Sequence, residues 1–147
     1  MVFAPQVLAV FRKYRQRFCW QPESGGILLG LRRGRHLEVL TATEPSSHDK
    51  RSAFFFVREA EGHAEVAEQA WIRGGRQVDY LGEWHTHPQT IPIPSSIDRA
   101  EWYKLVQKRP EKATLLTVVV GAKELHVEVG NRVGYEVLES ILPMSGR

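Results

Sequence analysis

Cysteine is almost absent from this chain. Cys19 is the sole one, so neither an internal disulfide nor a multi-cysteine zinc site can form. That usage predicts a reducing, cytoplasmic setting. Cys19 is expected to be a small buried hydrophobe on an apolar helix end, and no base lies nearby to activate it as a nucleophile. The N-terminus shows no apolar stretch behind positive charges, so no signal peptide is expected. No apolar run approaches the length of a membrane span, and no membrane association is expected. A strong excess of one charge is also lacking: 20 basic against 17 acidic residues leave a formal +3. The basic clusters at Arg12–Arg17 and Arg32–Arg35 read as a solvated helix face and a hairpin tip. No aromatic residues interleave with them in a nucleic-acid-binding pattern, so no nucleic-acid partner is expected.

What is present fits one globular domain. A chain of 147 residues supports one real core and is too short for two comfortable ones, which predicts a single domain over residues 1–147. Val7, Val10, Phe11, Tyr14 and Phe18 recur every three or four residues, which predicts an amphipathic helix stopped by Pro22. Glu23-Ser24-Gly25-Gly26 reads as a turn into the buried strand Ile27–Leu31. Arg33-Gly34-Arg35 is a hairpin tip, and Leu37–Thr41 returns as its partner. Ala53–Val57 reads as a short strand after a polar loop. A helix is predicted over 62–73, with Ala64, Ala67, Ala70 and Trp71 inward and Gly74-Gly75 as its end. The strand Val78–His85 follows, then a proline-rich loop. Next comes a helix over 96–108 with Trp102, Leu105 and Val106 inward. Thr114–Val120, Leu125–Val129 and Tyr135–Leu138 read as closing strands. Helices before, between and after strands give an α/β sandwich, a mixed sheet flanked by helices.

The chemistry concentrates in Glu83-Trp84-His85-Thr86-His87-Pro88, followed by Ser95 and Asp98. Residues two apart on a strand share a face, so the imidazoles of His85 and His87 can converge. Pro88, Pro92 and Pro94 stiffen the loop beyond them, and Asp98 opens the next helix. Two imidazoles and a carboxylate form a common ligand set for catalytic zinc, with water in the fourth position. Blander readings exist. His-x-His arises by chance, and Ser95 with Asp98 also fits a helix N-cap with an acid in the first turn. The alternation sends Trp84 and Thr86 to the opposite face, where packing is the default. Glu83 shares the imidazole face and is a candidate hydrogen-bond acceptor from one of them. His36, His48, His63 and His126 lack ligand-like spacing and read as ordinary.

His85-Thr86-His87-Pro88, six residues, Ser95, two residues and Asp98 together resemble the JAMM motif of JAB/MPN metalloproteases. Glu23-Ser24-Gly25-Gly26-Ile27-Leu28-Leu29-Gly30 is similar to the segment carrying that family's catalytic glutamate. The resemblance spans about Phe3 to Val129. Within the family the chain looks most like the short bacterial, stand-alone branch, which includes deconjugating peptidases of CBASS anti-phage operons. The resemblance implies the JAB/MPN fold and one Zn2+ per chain held by His85, His87 and Asp98. It implies Glu23 as general base and Ser95 as oxyanion donor. It implies hydrolysis of an amide bond after the extended C-terminal tail of a conjugated protein, either ubiquitin-like or a cGAS-like nucleotidyltransferase. A peptidase trimming a sulfur-carrier protein's C-terminus predicts the same site with a different substrate. A non-catalytic MPN-type scaffold predicts that ligands are missing, whereas all three and Glu23 are present.

Overall fold

The computed structural model describes residues 1–138. Nine strands and three helices run in the order β1 (Val2–Phe3), α1 (Pro5–Tyr14), β2 (Gly25–Arg33), β3 (His36–Ala42), β4 (Lys50–Arg51), β5 (Phe56–Val57), α2 (His63–Arg73), β6 (Asp79–Thr86), α3 (Ser96–Gln107), β7 (Leu115–Val120), β8 (Leu125–Gly130) and β9 (Tyr135–Leu138). Seven strands form one sheet in the order β1-β3-β2-β6-β7-β8-β9, while β4 and β5 form a separate small hairpin. The sheet is mixed. β6 and β7 are parallel, joined by α3 as a crossover, whereas β6 and β2 are antiparallel.

Helices cover both faces. On one, Val7 and Phe11 of α1 pack with Leu28, Leu81, Trp84 and Val118. On the other, Trp102 and Val106 of α3 pack on Leu115 and Val119. Ala67 and Ala70 of α2 cover Ile27, Leu29 and Val78 on that same side. Trp84, 1% exposed, anchors the α1 side, and its indole N–H donates to the Thr43 carbonyl at 3.0 Å. At Gly82 a Cβ would come within 1.7 Å of the Leu116 carbonyl oxygen, so β6 and β7 approach closely only because that residue is glycine.

Several local expectations are corrected. The first helix ends at Tyr14 rather than near Pro22. Beyond it the Gln21 side-chain oxygen accepts the backbone N–H groups of Arg17 and Phe18, which closes a turn and leaves Phe18, Trp20 and Cys19 exposed. Gly25 and Gly26 belong to β2, opposite His85 and Trp84, rather than to a turn. Residues 53–57 yield only the two-residue β5, because the hairpin lies outside the main sheet and Phe54 is exposed to solvent. In α2 the inward residues are Ala67 and Ala70, whereas Ala64 and Trp71 are exposed. His63, read as ordinary, is instead buried. Its Nδ1 meets Thr43 Oγ1 at 2.6 Å and its Nε2 meets Asp49 Oδ2 at 2.7 Å.

Candidate active site

Because β2 runs antiparallel to β6, the start of β2 and the end of β6 lie at the same edge of the sheet, with Gly25 opposite His85. That edge gathers the site. His85 sits on β6, and His87 follows it with its backbone N–H donating to the Val120 carbonyl at 2.9 Å. Strand alternation sets Trp84 and Thr86 into the buried opposite face, as expected. α3 then brings Asp98 back across the sheet. The three side chains converge: the two Nε2 atoms are 3.1 Å apart, His85 Nε2 is 3.1 Å from Asp98 Oδ1, and His87 Nε2 is 3.2 Å from Asp98 Oδ2.

These separations test the ligand set. Tetrahedral ligands held at about 2.0–2.1 Å from zinc lie roughly 3.3 Å from one another. The observed triangle is within a few tenths of an ångström of that spacing, and its corners are nitrogen and oxygen atoms suited to the ion. The residues therefore fit a metal. Each Asp98 carboxylate oxygen lies within hydrogen-bond distance of one imidazole. Burial opposes the Asp98 charge, but hydrogen bonds from His85 and His87 outweigh it and hold the carboxyl well below the usual range. Burial likewise opposes charging of His87, and its bond to Asp98 overrides that and raises its pKa.

Ser95 caps α3. Its hydroxyl oxygen accepts the Asp98 N–H at 3.1 Å, and Asp98 Oδ2 accepts the Ser95 N–H at 2.7 Å, a reciprocal capping box. The bland reading of Ser95 thus holds. It leaves the hydroxyl proton free for a further acceptor, since the oxygen serves the cap as acceptor only.

Glu23 lines the same cleft as His85, His87, Ser95 and Asp98, a space of about 820 Å³. Burial raises its carboxyl pKa, against the opposing pull of the two imidazoles. Its backbone is clamped from two sides. The Glu23 N–H donates to the Ser52 carbonyl at 2.7 Å, and Arg51 Nε donates to the Glu23 carbonyl at 2.8 Å. Next door, Thr86 takes both backbone groups of Ser24: its Oγ1 accepts the Ser24 N–H at 3.0 Å, and its own N–H donates to the Ser24 carbonyl at 2.9 Å. Thr86 Oγ1 then donates to Gln16 Oε1 at 2.8 Å. A threonine between the two histidines therefore ties their strand to the residue after Glu23.

The five residues expected from the sequence are brought together. Glu83 is not an imidazole partner: its Oε1 accepts from Arg58 Nη2 at 2.7 Å and from the Tyr80 hydroxyl at 3.2 Å. Arg58 and Phe54 bring the β4–β5 hairpin to the cleft wall opposite α3, and Trp102 lies with its ring 6.3 Å from that of His85. Sequence reasoning missed Gln16, Arg51 and Arg58, because nothing local to them marks contact with a site so far along the chain.

Residues 5–132 match the family described as prokaryotic homologs of the JAB domain. The chain belongs to this family. Among curated proteins it is 39% identical over 127 residues to a "CD-NTase/cGAS isopeptidase" of Pseudomonas aeruginosa, covering 86% of this chain and 80% of that one. It is 36% identical to a protein of the same name from Vibrio cholerae, covering 84% and 78% of the two chains. A solved structure from Desulfitobacterium hafniense shares the fold at a TM-score of 0.64 with 19% identity, covering 93% of this chain and 88% of that one. The JAB-like α/β architecture expected from the sequence is thus met in both sequence and structure. No helix among the described residues is long and apolar enough to cross a membrane.

Proposed function

We propose that this JAB-family protein is a zinc-dependent isopeptidase that releases a conjugated cGAS-like nucleotidyltransferase from its target protein, in bacterial anti-phage defence. The observation that carries the reading is the convergence of His85, His87 and Asp98 in one cleft with Glu23. The names borne by relatives of high coverage supply the substrate class. Bound zinc would lower the pKa of water toward neutrality and polarise a carbonyl oxygen.

The rest belongs to the chain's own side chains. Glu23 accepts a proton from the attacking water and delivers it to the leaving amine. Its burial-raised pKa suits both halves of that duty, because a more basic carboxylate takes the proton more readily and still returns it near neutrality. Ser95 donates its free hydroxyl proton to the oxyanion that develops on the scissile carbonyl. Asp98 and the two imidazoles hold the ligand triangle, and Thr86 keeps the glutamate segment and the histidine strand in one frame. The cleft runs between the β4–β5 hairpin and α3, with Phe54 and Ile97 exposed on its two walls, a shape suited to an extended tail with apolar side chains.

The test is a fusion of a nucleotidyltransferase C-terminal tail to an unrelated protein. Cleavage is expected just after the native C-terminal residue, to stop with a chelator, and to fail when the last tail residues are changed. Equal cleavage of arbitrary tails, or efficient cleavage of ubiquitin chains with none of the fusion, would overturn the substrate assignment. Chelator-resistant cleavage would overturn the metal.

A further inference from the structure

On the α3 side of the sheet, two strands over from the histidines of β6, β8 carries a carboxylate in full burial. Glu128 has 0% relative exposure. An isolated carboxylate there is strongly unfavourable, so it must be paired. Two partners meet it. His126 Nε2 lies 2.7 Å from Oε1, and the Arg99 guanidinium reaches both oxygens, Nη2 to Oε1 at 3.0 Å and Nη1 to Oε2 at 3.3 Å. Arg99 is the residue directly after Asp98.

The place of this pair in α3 gives it meaning. The apolar anchors of the helix, Trp102 and Val106, start one turn after Asp98. Within the first turn, the capping box between Ser95 and Asp98 is internal to the helix and ties it to nothing else. Besides the Asp98–imidazole contacts that it would position, the guanidinium–carboxylate fork ties that turn to the sheet among the described residues. It is two-pronged, which fixes direction as well as distance. Successive helix residues point about 100° apart, so holding Arg99 sets the azimuth at which Asp98 emerges. His126 holds the receiving carboxylate from its own strand.

We infer that Arg99 and Glu128 are positioning residues for the metal site, a clamp that sets the start of α3 so that Asp98 meets His85 and His87. The inference rests on the metallopeptidase reading above. The fork acts on the Asp98 ligand through the helix backbone and touches neither metal nor substrate. Groups bonded directly to a metal ligand are worth about 10–100-fold in metal affinity, and a clamp acting through the helix backbone is expected at the lower end of that range.

The experiment measures zinc affinity by competition with a chromophoric chelator, alongside the melting temperature of the metal-free protein. The proteins are wild type, Arg99→Met, Arg99→Lys and Glu128→Gln. Arg99→Met and Glu128→Gln are expected to bind zinc about tenfold more weakly than wild type. Arg99→Lys, which keeps the charge but not the fork, is expected to fall between. The Arg99 side chain is 52% exposed, so Arg99→Met tests the clamp even if Glu128→Gln fails to fold. Variants that bind zinc within about threefold of wild type, whatever their melting temperature, would overturn the clamp and leave the metal site standing. Wild-type protein that takes up no zinc would overturn the metallopeptidase reading itself, and the clamp with it.

Discussion

Glu23 is a carboxylate whose ionisation is set by where it stands. Burial raises its pKa, and the imidazoles of His85 and His87 only partly offset that. A general base works in its deprotonated form, so activity should fall as pH drops through this raised value, higher than an ordinary glutamate would place the limb. Glu23→Gln keeps the shape without the basic oxygen. Turnover should fall by at least about a hundredfold while bound zinc, measured by metal analysis, stays near one per chain. Retained turnover would assign the proton to another group. Ser95 calls for a paired test, because it caps a helix and faces the cleft at once. Ser95→Ala should lower stability by about 1 kcal/mol through the lost cap. Ser95→Gly should lower it by only a few tenths, since glycine caps tolerably. If the hydroxyl stabilises an oxyanion, both variants should lose turnover alike, by roughly a hundredfold. Turnover that instead tracks stability would leave Ser95 as a cap alone.

At the scale of elements, the loop between β3 and α2 is held by one carboxylate. Asp49 accepts from the Ser46 N–H at 2.7 Å, from the Glu59 N–H at 2.9 Å and meets buried His63 at 2.7 Å. Burial works against its charge, yet these bonds prevail and depress its pKa. A depressed pKa stabilises the fold above the unfolded value, near 3.9, and that contribution is lost as pH falls through the folded value. Asp49→Asn should cost about 1–3 kcal/mol in denaturant unfolding at neutral pH, because buried donors lose their acceptor. The variant should also flatten the acid limb of the stability curve. An unchanged limb would mean that another carboxylate governs it. The same loop shows what the sequence could not reveal. His85, His87 and Asp98 were legible, because strand alternation and a proline-stiffened connection leave few arrangements for them. β2, β3, β6 and α3 were legible for the same reason, their patterns being local. The end of α1 was not, since a glutamine side chain closes the turn beyond it. Nor were the inner face of α2, the partners of Glu83 or the burial of His63, each decided by contacts with segments distant in the chain.

For the whole molecule, the His85–His87–Asp98 triangle joins the end of β6 to α3, a helix that otherwise packs on β7 through Trp102 and Val106 and reaches β8 through Arg99. A metal that binds the folded chain and not the unfolded one adds stability in proportion to the logarithm of its excess, about 4 kcal/mol at a thousandfold excess over Kd. Adding a chelator should therefore lower the melting temperature of wild-type protein by several degrees. His85→Ala should contain no stoichiometric zinc and show no chelator effect. A wild-type melting curve indifferent to zinc and chelator would show that the triangle does not hold the ion.

The bond between Ser24 and Thr86 closes a span of 62 residues. β2–β3 and β7–β8 are local hairpins, but both pairings of the central β6 are non-local, and closing such spans is slow because chain entropy is lost before contacts reward it. On a ribosome, the glutamate segment emerges long before the strand that completes its edge, and Asp98 emerges later still. A nascent chain therefore carries no assembled cleft until most of it has been made, and a refolding chain should recover far-ultraviolet helix signal before it recovers hydrolysis. A newly made chain is in this way silent by topology alone.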